Sequence, residues 1–334
     1  MQRANDRNYN LDLMRILACI SVVGLHTLQK DLSVINSFMY YICGFAIPVF
    51  FVASGYILLS REQATVRYSM EKVTKIILRV ISWSTIYFVA KFMIDFIGQD
   101  LEKYTIWSLP KLISGNLIQR GSLGHLWYLG ALAIIYILFP MLSRIKKNLC
   151  CVWIIAFMIG CMMQIQSYRV GKPMQSYCIQ TFRIWTWMQY FILGGLYGGG
   201  VKCCEKLESI LVHVQNLIAH KGIKKVLLMT FVSVSYFNIV GRYLLHNLYA
   251  EYFYDSLIMI FWVFTLFTWI IRFNLSDRMI AVIKIISPLT MGIYNSSYNN
   301  KGVYPFLGSR YSFIIIVIFY RCIVNISFYS MDNL

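Results

Sequence analysis

The sequence predicts an all-α integral membrane protein, a polytopic bundle of about ten transmembrane helices with both termini in the cytoplasm. Composition is the first reason. Of 334 residues, 58% are hydrophobic and 13% charged, about half the charge of an ordinary soluble domain, and the mean hydropathy is +0.60. The second reason is length. Apolar runs of about 20 residues, the length a helix needs to cross a hydrocarbon layer, recur from end to end. The third is where the basic residues fall. The formal charge of +17 sits in short segments between the runs rather than in a nucleic-acid-binding patch. With the N-terminus placed in the cytoplasm, 18 basic residues lie in inner segments and 10 in outer ones, the positive-inside asymmetry.

Each span is an apolar run with recognisable borders. The first, 11–29, is interrupted by Asp12, Arg15 and His26. A basic leader with a short apolar core is missing, so this span is expected to be retained. The second, 36–59, contains Ser54 and Gly55, small residues that allow helices to approach closely. The third, 76–97, is entered through Arg61, Arg67, Lys72, Lys75 and Arg79, the last two running into its apolar part. The longest outer loop, 98–124, leads to the fourth span, 125–143. The fifth and sixth are 149–166 and 184–200. Arg183, Trp185 and, later, Arg242 stand at outer span ends and read as interface anchors. The longest inner loop, 201–225, has apolar residues at helical spacing, which predicts a helix lying on the membrane surface. Spans 226–245, 252–271, 279–297 and 311–329 complete the ten, in one membrane domain covering 1–334. Nine cysteines follow no metal-ligand or redox spacing, and Cys19, Cys43 and Cys161 lie inside spans as small packing residues. No metal is expected. His213, His220 and His246 fall in loops and carry no signal.

The first span holds the chemistry. Asp12 and Arg15, three residues apart, can pair on one helix face. Arg15 and His26 are eleven residues apart, within about 20° of the same face and separated by about 16 Å along the axis. Ionisable groups at such depths are costly unless paired or beside a watery cavity, so the stripe is expected to face the bundle interior. Two readings fit it. In one, the Asp–Arg pair anchors the helix and His26 is a hydrogen-bonded polar residue near the far headgroups. In the other, the stripe marks a path that holds a charged molecule at one end and does proton chemistry at the other.

Four segments carry a family resemblance. "DLMRILACISVVGLH" (12–26), "IPVFFVASGYILL" (47–59), "GHLWYLGALAIIYILFP" (124–140) and "SPLTMGIY" (287–294) occur in the order seen in membrane acyltransferase-3 proteins, and the chain resembles that family's bacterial surface-polysaccharide O-acetyltransferases. The resemblance implies an O-acyltransferase of the bacterial cytoplasmic (inner) membrane. Its donor would be acetyl-CoA on the cytoplasmic side, and its acceptor a sugar hydroxyl of a cell-surface glycan or a lipid-linked precursor. His26 would act as general base or carry the acyl group covalently, with Asp12 as a second candidate catalytic residue. Arg15, Lys75 and Arg79 would hold coenzyme A. Lys75 stands where Arg is common in the family, and a point charge grips phosphate less specifically than a guanidinium fork. His125, Trp127 and Tyr128 would hold the acceptor sugar, since aromatic faces pack on sugar rings. A transporter of a small substrate or acyl group without chemistry is the alternative reading of the charged stripe, and a membrane sensor domain is a third.

The resemblance breaks late in the chain. Three residues after Tyr294 the family pattern calls for a His, and Ser297 stands there. From 295 to 334 the texture turns rich in Asn, Ser and Tyr, consistent either with loss of that His or with a shifted coding frame.

Overall fold

The computed structural model describes residues 7–28, 33–61, 65–98, 104–220 and 222–289. Twelve helices order them: α1 (Tyr9–Thr27), α2 (Val34–Ile42), α3 (Ala46–Leu59), α4 (Val66–Ile97), α5 (Ser108–Leu117), α6 (Trp127–Arg144), α7 (Leu149–Val170), α8 (Ile184–Tyr197), α9 (Glu205–Ala219), α10 (Gly222–Tyr243), α11 (Leu257–Ile271) and α12 (Asp277–Ile286). No strand occurs among the described residues. The expected all-α bundle is what forms. The tenth expected span, the end of the ninth and the atypical tail lie outside the described residues.

Local chemistry sets many of the helix starts. Asn8 accepts hydrogen bonds from the backbone of Asn10 and Leu11, while Thr65, Ser256 and Ser276 cap α4, α11 and α12 in the same way. The expected span 36–59 is two helices, α2 and α3, joined by a 3-10 turn at Cys43–Phe45. Pro48 falls in the first turn of α3, where its missing N–H has no intrahelical partner to lose. The largest difference from the sequence reading is α4. It begins at Val66 rather than at 76 and runs 32 residues, about 48 Å at 1.5 Å per residue. That exceeds a hydrocarbon layer of about 30 Å, so its basic first turns extend beyond it. Charge ends a hydropathy run but does not end a helix, because Glu, Lys and Arg are good helix formers.

The core is built on α3 and α8. Every residue of α8 from Thr186 to Leu196 is buried. The two backbones come into contact where side chains are missing: a Cβ on Gly55 would overlap the Phe191 carbonyl, and one on Gly194 would overlap that of Val52. Small residues allow such approach between membrane helices. Around this pair pack α7 on α8, α1 on α3 and α11, α2 on α10, and α10 on α11; α4, α5 and α6 form a flank. Among the described residues, six helical segments are long and apolar enough to span a membrane: α1, the α2–α3 unit, α4, α6, α7 and α10. The other two core helices, α8 and α11, have only 14 and 15 residues. Buried in protein, they satisfy their ends internally. Asn10 of α1, for example, donates to the carbonyls of Ile270, Ile271 and Phe273 at the end of α11, each at 2.9 Å.

Lipid-facing surfaces are the converse. Leu78, Val89 and Phe96 on α4, Ile155, Met158 and Met162 on α7, and Leu227, Leu228 and Phe231 on α10 are all exposed. So large an exposed apolar belt is a membrane surface.

The bundle has two ends. At the basic end lie the starts of α1, α4 and α7 and the ends of α3, α6 and α11; the far end holds the close of α1 and the turns preceding α6, α8 and α11. The helix expected in loop 201–225 is α9, at the basic end. Arg272 clamps it by donating to the carbonyl and side-chain oxygens of Gln215 and to Asn216. Cys150 of α7 and Cys203, just ahead of α9, form a disulfide with Cα atoms 5.8 Å apart. The sequence reading took the cysteines as packing residues. That holds for buried Cys19, but not for this pair.

Candidate active site

The polar stripe of α1 faces the protein. Asp12, Cys19 and Val22 on its line are buried, while Ile20 on the opposite side is 59% exposed. Asp12 accepts from Arg7 Nε at 2.6 Å and from Arg15 Nη1 at 3.3 Å. The carboxylate thus holds two guanidinium groups at the basic end, and sits in the first turn, where negative charge is favoured by the helix dipole. It does not reach His26, because fourteen residues of helix separate them by about 21 Å. Asp12, expected as a candidate catalytic residue, lies at the basic end, where it contacts Arg15 rather than His26.

At the far end the structure joins two histidines remote in sequence. The rings of His26, in the last turn of α1, and His125, in the 3-10 turn Gly124–Leu126 before α6, lie 6.3 Å apart edge to face. His125 is buried, whereas His26 is half-buried. From this contact α6 runs antiparallel to α1, so residues further along α6 meet residues further back along α1. Tyr128 lies in the electrostatic reach of Cys19 and Arg79, and Tyr136 in that of Arg15, Arg61 and Arg79. α1 packs on α3 and α11, while α6 packs on α4 and α5.

At the basic end cations gather around Tyr136 and Tyr68. The Arg61 guanidinium lies over the Tyr68 ring, its carbon 4.9 Å from the ring centroid, and Lys72 Nζ approaches the same ring at 5.3 Å. Lys146 donates to the Arg61 carbonyl. Lys72 lies in the fields of Lys75, Arg61 and Arg79, with Glu71 as the acidic neighbour; Glu71 is in turn paired with Arg67 at 3.2 Å. Lys75 and Arg79 are exposed on α4. Among the described residues this end therefore concentrates positive charge, whose field favours anions. Arg15 and Arg79 were legible in the sequence. Arg61 and Lys146 read there as ordinary topology, and Tyr68 and Tyr136 gave no signal.

The expected sugar platform is different. Trp127 packs on Trp187 with ring centroids 5.0 Å apart, and Tyr128 stacks on Phe50 at 5.5 Å. Both are buried, so neither offers an open face to a sugar ring; they build the wall behind His125. The far end is stiffened further by buried polar groups. Arg183, expected at the interface, is only 2% exposed and donates to the carbonyls of Gln175, Cys178 and Glu251. The Asp255 carboxylate accepts from Thr186 at 2.6 Å and from Trp185 and Gln175 at 3.5 Å. Arg242 also turns inward, donating to Ser37 Oγ at 2.5 Å.

A family model described as an acyltransferase domain matches residues 8–328. The chain belongs to the acyltransferase-3 family. No curated protein and no solved structure matches it significantly. The match spans α1, the four resembling segments and most of the atypical tail. This acyltransferase-3 protein is thus a multi-pass membrane acyltransferase. Its polar stripe, histidine pair and cationic cluster all fall inside the matched region.

Proposed function

We propose that the protein moves an acyl group, acetyl in the simplest case, from acyl-CoA at the basic end to a hydroxyl of a cell-surface glycan sugar or its lipid-linked precursor at the far end. The observation that carries this is the arrangement along α1 and α6: imidazoles meet at one end, cations converge at the other, and about 16 Å of helix separates Arg15 from His26. Acyl-CoA has the matching shape, anionic phosphates joined to a thioester by a long thin arm. On this reading the basic end faces the cytoplasm of a bacterium and the protein lies in its inner membrane. Arg15, Arg79 and Arg61 receive the phosphates, with Lys75 at the rim.

His26, neutral, takes the proton of the acceptor hydroxyl as that oxygen attacks the thioester carbonyl. The carbon–sulfur bond breaks, and the imidazolium returns the proton to the departing thiolate, giving the ester and free coenzyme A. His125 packs edge-on to His26 and fixes its ring.

The test is mass spectrometry of the cell-surface glycan from cells expressing wild type or His26→Ala at equal protein level. Loss of an acyl mass increment in the variant is expected. An unchanged glycan would overturn the assignment and favour transport without chemistry.

A further inference from the structure

The far end has a second aromatic feature, and unlike Trp127 and Tyr128 it is open. Between α4 and α5 lies a cavity of about 250 Å³, bordered by Tyr87, Phe88, Lys91, Tyr104, Ser108 and Ser122. This is below the roughly 300–1,000 Å³ of drug-sized ligand sites, the scale of one ring rather than of an extended donor. None of these six residues is buried. Tyr104 is held upright, its ring edge-on to Phe88 at 5.6 Å and to Phe92 at 5.1 Å, and its hydroxyl on Asp95.

Lys91 is the unusual member. It interrupts the apolar run of α4, where an ionisable residue is costly and marks a site by default. It makes no ion pair among the described residues. The cavity is also fixed to the histidine pair. Buried Asn116 donates to Ser84 of α4 at 2.8 Å and accepts from the Leu123 backbone at 2.8 Å. The segment that begins at Ser122 on the rim continues into Gly124 and His125.

We propose that this cavity is the subsite for a sugar ring bearing an anionic group. The apolar face of the ring packs on Tyr87 and Tyr104, its hydroxyls meet Ser108 and Ser122, and its charge meets Lys91. The charge can belong to the phosphate of a lipid-linked sugar or to the carboxylate of an acidic sugar in a glycan. This deepens the proposed function by naming the acceptor's chemistry, and rests on that reading only for the fate of the sugar, not for its binding.

Binding is measured by saturation-transfer NMR on the full chain in phosphatidylcholine nanodiscs, with glucose 1-phosphate, glucuronate and glucose as probes. At least one anionic probe is expected to bind about tenfold tighter than glucose, the order of one charge-assisted hydrogen bond. Which one prevails identifies the phosphate or the carboxylate as the source. Lys91→Gln should abolish the preference, Lys91→Arg should keep it, and Tyr104→Ala should weaken all three probes, with the thermal midpoint of each variant confirming its fold. Equal binding of charged and neutral probes, no binding of any, or a preference that survives Lys91→Gln overturns the subsite. So does a preference that vanishes when phosphatidylglycerol is added, since Lys91 would then serve lipid phosphate. His26→Ala should bind as wild type does. A failed glycan test with intact binding would therefore overturn the acyl transfer and leave the subsite standing.

Discussion

Asp12 and His26 share a helix and do separate work. One carboxylate holds Arg7 and Arg15 at the basic end, and the imidazole lies about 21 Å away at the other. On the proposed function, Asp12→Asn should raise the KM for acyl-CoA several-fold while changing kcat little, because it loosens the guanidinium proposed to meet the donor before chemistry. His26→Ala should do the reverse and collapse kcat. Steady-state kinetics with varied acyl-CoA separates the two, and equal losses of kcat in both variants would overturn the division. The residues of the α1 stripe were legible because helical periodicity alone places Arg15 and His26 on one face. The partners were not. His125 meets His26 only through the fold, and Asp255, Lys91 and Tyr136 gain meaning from neighbours that no spacing encodes.

Among the elements, the α3–α8 contact sets the tolerance of the core. A methyl group at Gly55 has no space beside the Phe191 carbonyl, and the backbone of α8 cannot yield as a flexible side chain would. Gly55→Ala is expected to cost about 3 kcal/mol by overpacking, read as a lowered thermal midpoint in detergent, whereas Gly98→Ala at the end of α4 meets only its own helix carbonyls and should be nearly silent. Long apolar helices such as α1 and α7 were legible from hydropathy. The start of α4 and the break between α2 and α3 were not, since hydropathy registers charge while backbone geometry registers caps and turns. The short helices α8 and α11 look like ordinary spans in sequence, and their lengths of 14 and 15 residues and mostly buried side chains emerge only in the structure.

For the whole molecule, the asymmetry of basic residues and the exposed apolar belt predict one orientation. Cys151 and Cys204 are exposed at the basic end. If that end faces the cytoplasm, a membrane-impermeant maleimide should label them in inverted vesicles and not in intact spheroplasts; labelling from the outside would reverse the topology and with it the donor's side. The neighbouring disulfide sharpens the matter. Cys150 and Cys203 close a loop across 53 residues of chain, and with that end in the cytoplasm they would meet glutathione that keeps thiols reduced. In growing cells the two sulfurs should thus be trapped as separate alkylated thiols, and the covalent bridge should appear only once the cells are broken in air. A single non-reducing gel on that loop would report both which compartment it inhabits and how firmly α9 is moored there.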